Sequence, residues 1–352
     1  MPHHYRPAAL HCLRHLDRDS VVADIGAGMT VGVIALPLAI GFGIASGVTP
    51  QQGLWTAVVA GLMISMLGGS RYQIGGPTGA FVPILAAVVA THGYSGLATA
   101  TVMAGVLLML MGIFRLGALL RYIPFPVIAG FTSGIAVIIL LGQIPDFLGQ
   151  SFHKPGDAPE LVVEVLRHLG QTDWHTLVIG GVCLAIVLFW PRVTGKIPAA
   201  VVAMLCGTLL ALFLHWPVAT IGSRFGDIPG GLPGWHVPTF SLDLMRELMS
   251  SAFTIAALGG IESLLSATVA DGMTDTKHDS NSELIGQGIA NIITPFIGGF
   301  AATGAIARTA ANVRSGARSP LSGLIHSLAL LAFVLIAAPL ARHIPMATLA
   351  AV

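Results

Sequence analysis

Residues 25–70 read IGAGMTVGVIALPLAIGFGIASGVTPQQGLWTAVVAGLMISMLGGS, 46 consecutive positions without Asp, Glu, Lys or Arg. Residues 72–114 add 43 more, and only Arg71 separates the two runs. A bilayer-spanning helix needs ~20 apolar residues, so these runs alone hold length for about four spans. A soluble fold could not cover them with polar surface. The rest of the chain agrees. Only 9% of its 352 residues are charged, against ~25% in a soluble domain. The fold class read from this is an all-α polytopic membrane protein.

Other classes fall with the same numbers. A net charge of +1 with no basic cluster leaves no footprint for nucleic acid. The three cysteines, Cys12, Cys183 and Cys206, form no C-x-x-C pair, so neither a disulfide framework nor a zinc site is indicated. No nucleophile motif, metal-ligand spacing or phosphate loop is present, so neither an enzyme nor a cofactor is expected. The N-terminus, MPHHYRPAALHCLRHLDRDS, lacks the apolar core of a signal peptide, and the first apolar segment is expected to remain as a helix.

Punctuation by Gly, Pro and charge predicts spans near 25–45, 53–68, 78–91, 96–114, 124–143, 174–191, 198–216, 249–270, 283–298, 303–314 and 320–340. Turns are expected at 46–53, 91–96 and 191–198. The segments 78–91 and 303–314 are too short to cross ~30 Å of hydrocarbon. Each follows a glycine-rich break and reads as a half-helix starting inside the membrane. Lys and Arg set the orientation. With the N-terminus in the cytoplasm, the inner face carries Arg6, Arg14, Arg18, Arg71, Arg115, Arg121, Arg192, Lys196, Lys277, Arg314 and Arg318. The outer face carries only Lys154, Arg167, Arg224, Arg246 and Arg342.

The chain also repeats itself. ALPLAIGFGIASGVT at 35–49 matches GIESLLSATVADGMT at 260–274, and GLWTAVVAGLMISMLGG at 53–69 matches ELIGQGIANIITPFIGG at 283–299. Thr78-Gly79-Ala80 then lies over Thr303-Gly304-Ala305. Seven spans precede residue 249, an odd number, so the second copy enters the membrane from the opposite side. Inverted repeats with a broken helix in each half are a signature of secondary transporters. Repeat symmetry calls for seven spans in the second half; four are complete, and about three are expected beyond Val352.

The half-helix starts, GGPTGAF at 75–81 and ATGAIART at 302–309, are the first candidate site. Helix N-termini expose unpaired N–H groups and the positive end of the macrodipole, and so attract anions. Thr78 and Thr303 add hydroxyl donors, and the small residues let a ligand approach the backbone. Glu262 is the lone acid between Glu247 and Asp271. An acid at membrane depth marks a pathway or a proton relay. Ser266, one turn on, shares its face. Arg308 either supplies positive charge to an anion site or anchors the cytoplasmic mouth with Arg314 and Arg318. His326 reads as a packed, hydrogen-bonded histidine, and His92 as a turn residue.

Five stretches carry a family resemblance. They are TVGVIALPLAIGFGIASGVTPQQGLWTAVVAG (30–61), QIGGPTGAF (73–81), IPFPVIAGFTSGIAV (123–137), IESLLSATVADGMTDTKHDSNSELIGQGIANI (261–292) and ATGAIARTAANVRSGARSP (302–320). Together they resemble the SulP, or sulfate permease, family of anion transporters, in particular its bacterial bicarbonate, sulfate and dicarboxylate members. The resemblance implies fourteen segments in two inverted repeats of seven, with segments 3 and 10 broken. It implies a cytoplasmic N-terminus at 1–24 and core-domain segments 1–4 at 25–114. Gate-domain segments 5–7 with their extracytoplasmic loops fall at 115–248, core segments 8–11 at 249–341, and segment 12 begins at 342–352. The remaining gate segments and the family's C-terminal STAS domain are then expected beyond the chain.

In the family, the substrate anion lies between the N-termini of segments 3 and 10, which map onto Thr78, Gly79, Ala80 and onto Thr303, Gly304, Ala305. The coupling position on segment 8 maps onto Glu262. Sodium-coupled bicarbonate relatives have Asp there and Thr where this chain has Ser266, so a proton competes with sodium as the coupling ion. The expected function is secondary transport of a small anion by an elevator-like movement of core against gate. The alternatives are a passive anion channel or exchanger, and a nucleobase:proton symporter of the same architecture. The expected partners are the anion, H+ or Na+, the lipid of the inner (plasma) membrane, and a second copy in a full-length homodimer.

Overall fold

A computed structural model describes residues 5–12, 14, 16–118, 125–152, 158–194, 197–226, 231 and 233–352. Three charges used for orientation, Arg121, Lys154 and Lys196, lie outside the described residues, as does the start of the span expected at 124.

Helix starts follow local capping chemistry. Asp17 accepts from Ser20 N at the head of α2 (Arg18–Ala45), after the short α1 (Ala8–Cys12). Thr49 and Gln52 form a reciprocal capping box, with Pro50 in the first turn, at the head of α3 (Pro50–Leu67). There follow α4 (Val82–Ile113), α5 (Phe125–Leu148), α6 (Ala158–Arg167), α7 (Trp174–Val193), α8 (Ala199–Leu214) and α9 (Ile221–Phe225). The second half holds α10 (Leu242–Thr274), α11 (Ser280–Ile293), α12 (Ile306–Arg314), α13 (Leu321–Ile336) and α14 (Met346–Ala351). Ser241 caps α10 through Leu244 N, and Asp279 caps α11 through Asn281 N and Ser282 N.

The spans fall where hydropathy placed them, with two corrections. The expected turn at 91–96 is a kink within α4, made at Gly93, whose φ of 64° favours glycine. The half-helices begin later than expected. Residues 79–81 form a 3-10 turn before α4, and α12 begins only at Ile306. The cause is a pairing that no local pattern encodes: β1 (Gly75–Gly76) and β2 (Thr303–Gly304) join as an antiparallel pair, Gly75 opposite Gly304 and Gly76 opposite Thr303.

Buried apolar side chains gather in three main groups. Ala35, Leu36, Ile40, Leu54 and Leu330 join α2, α3 and α13. Phe81, Leu85, Leu108, Ile255 and Leu284 join α4, α10 and α11. Ile179, Cys183, Ala203 and Ala347 join α7, α8 and α14. At the α4–α11 crossing, a methyl on Gly105 would lie 2.7 Å from the Gly288 carbonyl, and one on Gly288 would lie 2.7 Å from the Gly105 carbonyl. Small residues here let two backbones touch. Large apolar side chains such as Leu188, Phe189, Phe213 and Ile336 face outward. The runs Arg18–Ala45, Gly79–Ile113, Trp174–Val193 and Leu242–Thr274 are each long and apolar enough to cross a membrane.

Candidate functional site

The β1–β2 pair sets the site, because α4 and α12 both start from it. Glycine is required on both strands. Gly76 has φ 148°, and a Cβ there would sit 2.6 Å from Arg308 Nη1. A Cβ on Gly304 would fall on the Gln73 side-chain amide. On the first half-helix Thr78 is buried, while Gly79 and Ala80 remain partly exposed. Ala80 lines a cleft of about 270 Å³ with Pro83 and Ile84 of α4, Gly134 and Ile138 of α5, and Leu258 of α10.

The second terminus differs from the expectation. Thr303, Gly304 and Ala305 are all buried. Thr303 and Gly304 are committed to the strand pair, and the Thr303 hydroxyl donates to the Gly259 carbonyl at 2.8 Å. Ala305 N donates to the Ile74 carbonyl at 2.9 Å. The N–H groups that a helix start leaves without intrahelical partners therefore belong to residues 306–308. Ile306 and Ala307 are the accessible positions. The three-residue offset follows from the strand pair, which joins residues far apart in the chain.

Glu262, partly buried on α10, accepts from the Thr78 hydroxyl at 2.9 Å. That bond ties the lone acid to the start of the first half-helix across 184 residues. Ser266 shares the helix face of Glu262 but donates instead to Thr309 Oγ1 at 2.9 Å, which in turn accepts from Ile74 N at 3.1 Å. Arg308 is buried, and its Nη2 donates to the Pro77 carbonyl. Its Nη1 has no partner among the described residues. The guanidinium thus lies inside the break, bonded to the residue that precedes Thr78.

His326 is fully buried, but neither ring nitrogen has a partner among the described residues, which corrects the expected hydrogen-bonded histidine. His92 falls in the helical run before the Gly93 kink and approaches Glu247 at 3.2 Å. Among the described residues no group of three or more His, Cys, Asp or Glu could hold a metal ion.

The main residue missed by sequence reading is Glu283. Fully buried on α11, it accepts from Gly69 N (2.8 Å), Ser70 N (3.0 Å), Gln73 Nε2 (2.8 Å) and Ser263 Oγ (3.2 Å). It thereby fixes the loop leading into β1. Asn291 does the same for β2, donating to the Ala302 carbonyl at 2.9 Å and accepting from Ala302 N at 2.8 Å. Hydropathy gave no signal for Glu283, because it sits near the polar end of its segment (SNSEL) and resembles a first-turn acid.

The sulfate permease family profile matches residues 21–352. The protein named "Putative sulfate transporter YvdB" of Bacillus subtilis strain 168 is 48% identical over 329 residues, covering 93% of this chain and 62% of its own. "Bicarbonate transporter BicA" of Picosynechococcus strain PCC 7002 is 38% identical over 349 residues, covering 95% of this chain and 60% of its own. The solved transmembrane domain of a cyanobacterial bicarbonate transporter BicA superposes with TM-score 0.88 at 35% identity, over 96% of this chain and 87% of that one. The chain spans about 60% of the length of the curated relatives it matches.

Proposed function

The chain belongs to the sulfate permease family, and on that premise we propose that it is the membrane part of a secondary active transporter for a small anion such as bicarbonate, sulfate or a dicarboxylate. Bicarbonate and sulfate are the substrates that the relatives' names carry. The anion binds between the starts of α4 and α12, at Thr78, Gly79 and Ala80 on one side. On the other side Thr303, Gly304 and Ala305 shape the break, and the N–H groups of 306–308 face the ligand. Arg308 adds positive charge, and two helix N-termini that follow the paired strands add their dipoles.

Glu262 carries the coupling. The observation behind this reading is the 2.9 Å bond that joins its carboxylate to Thr78, the first residue of the anion site. A proton suits the position better than sodium. Sodium prefers a cage of several oxygens, whereas the Ser266 hydroxyl is turned to Thr309 and Arg308 is held at the Pro77 carbonyl beside Thr78. Residues 25–114 and 249–341 form the core, which moves against a gate built from 115–248 and from 342 onward. The protein works as a homodimer in the plasma (inner) membrane with its N-terminus in the cytoplasm.

Uptake of labelled sulfate and bicarbonate into proteoliposomes, under imposed pH or sodium gradients, tests the proposal. Accumulation above the equilibrium level under a pH gradient is the expected result. Uptake of every candidate anion that ignores both gradients overturns the coupling and leaves a passive pathway.

A further inference from the structure

We propose that the Thr78 hydroxyl is the switch through which Glu262 controls anion affinity, because its single proton can face either the carboxylate or the anion but not both. The inference rests on the proton-coupled reading above and deepens it.

The geometry at Thr78 is unusual for a residue that opens a helical turn. A threonine there ordinarily turns its oxygen onto the N–H groups two or three residues ahead. Thr49 does so toward Gln52 N at 3.3 Å, and Thr220 toward Ser223 N at 3.2 Å. Thr78 makes no such cap. Its hydroxyl instead donates to Glu262 Oε2 at 2.9 Å, and Thr78 is 5% exposed. The consequence is twofold. The N–H groups at the start of the half-helix are left for a ligand, and the hydroxyl is bound to the one acid at the site.

A hydroxyl carries one donor and two acceptor lone pairs, and an ionised carboxylate is an acceptor only. With Glu262 ionised, the Thr78 proton is committed to it and lone pairs face the anion site, where they repel the anion. With Glu262 protonated, the carboxylic O–H donates to Thr78 Oγ1 across the same contact. The hydroxyl proton then turns toward the anion. The step balances: one proton enters on Glu262, one hydrogen bond reverses direction, and no covalent bond in the protein or anion changes. One proton and one anion thus bind together.

The surrounding charges allow this. From α12, the buried Arg308 donates to the Pro77 carbonyl, next to Thr78. From α11, Glu283 is saturated by four donors and reaches only Ser263 on α10. On α4 the only Asp, Glu, Lys, Arg or His is His92, which approaches Glu247. On α5 the only one is Asp146, paired with Arg224. On α13, His326 is fully buried with neither ring nitrogen partnered among the described residues. Among the described residues no second carboxylate accepts from Thr78.

The test is the pH dependence of KM for labelled sulfate, whose charge is constant between pH 6 and 8, in proteoliposomes of the full-length protein. The wild type is expected to bind more tightly as pH falls, approaching tenfold per pH unit on the alkaline side of the Glu262 titration. Thr78→Val, which keeps shape and removes the hydroxyl, should raise KM and flatten it to less than twofold across the range. Thr78→Ser should restore the slope. Glu262→Gln, whose amide donates to Thr78 as the protonated acid does, should give a low KM independent of pH. A wild-type slope in Thr78→Val, or a raised KM in Glu262→Gln, overturns the switch. Accumulation under a pH gradient with a flat wild-type KM overturns the switch alone. Loss of that accumulation overturns the coupled-transport reading as well.

Discussion

Glu283 Oε2 lies 2.8 Å from the Gly69 amide nitrogen, joining positions 214 residues apart in the chain. The same carboxylate holds Ser70 and Gln73, and the Gln73 amide lies against Gly304 on the other break. One buried acid on α11 thereby holds the loop leading into β1 and the Gln73 amide that lies against β2. A buried charge that satisfies four donors organises its surroundings, and removing it leaves each donor without a partner.

Glu283→Ala should therefore destabilise the protein by ~3–5 kcal/mol, the range for breaking a buried charged network. Glu283→Gln, which puts an NH2 group against donors, should cost roughly 1–3 kcal/mol. Thermal unfolding in detergent, followed by intrinsic fluorescence, measures both. Equal midpoints for wild type and Glu283→Ala would contradict the assignment.

Glu262→Gln should abolish accumulation driven by a pH gradient while anion exchange persists in part. An amide holds the anion but cannot release a proton. Counterflow and net uptake, measured on the same vesicles, separate the two activities. Full accumulation by the variant removes Glu262 from the coupling.

Gly76→Ala and Gly304→Ala should lower transport at least tenfold while the protein still inserts and purifies. At Gly76 the added methyl meets Arg308 Nη1 at 2.6 Å in a backbone conformation that suits glycine. At Gly304 it displaces the Gln73 amide. The control is Gly170→Ala, where a Cβ meets nothing within 4 Å; it should transport as wild type does.

At the head of α7, Asp173 accepts from His175 N at 3.3 Å and Thr176 N at 3.0 Å. Burial pushes its carboxyl up, but the bonds from Thr176 and His175 outweigh that and hold it below the usual carboxylate value. Its contribution is complete above ~pH 4, the unfolded value, and is lost as pH falls through the lower folded value. Asp173→Ala should cost ~1 kcal/mol at pH 7. The gap from wild type should close at more acid pH, and unfolding midpoints across a pH series show it.

The sequence by itself determined the membrane class, nearly every span, the two interrupted segments and Glu262 as the acid near the breaks. Each rests on composition or on periods of a few residues, and the cost of placing charge in hydrocarbon makes those patterns stringent. Tertiary structure alone decided how the breaks are built. Pairing of Gly75–Gly76 with Thr303–Gly304 consumes backbone groups that the aligned motifs had presented as free, and moves the open N–H groups to 306–308. It also turned Ser266 toward Thr309, drew Arg308 onto the Pro77 carbonyl, and revealed Glu283 as the shared anchor. These are contacts between residues some 40 to 230 positions apart. Hydrogen bonds are satisfied across space, and a local pattern records which groups need partners without recording which partners they find.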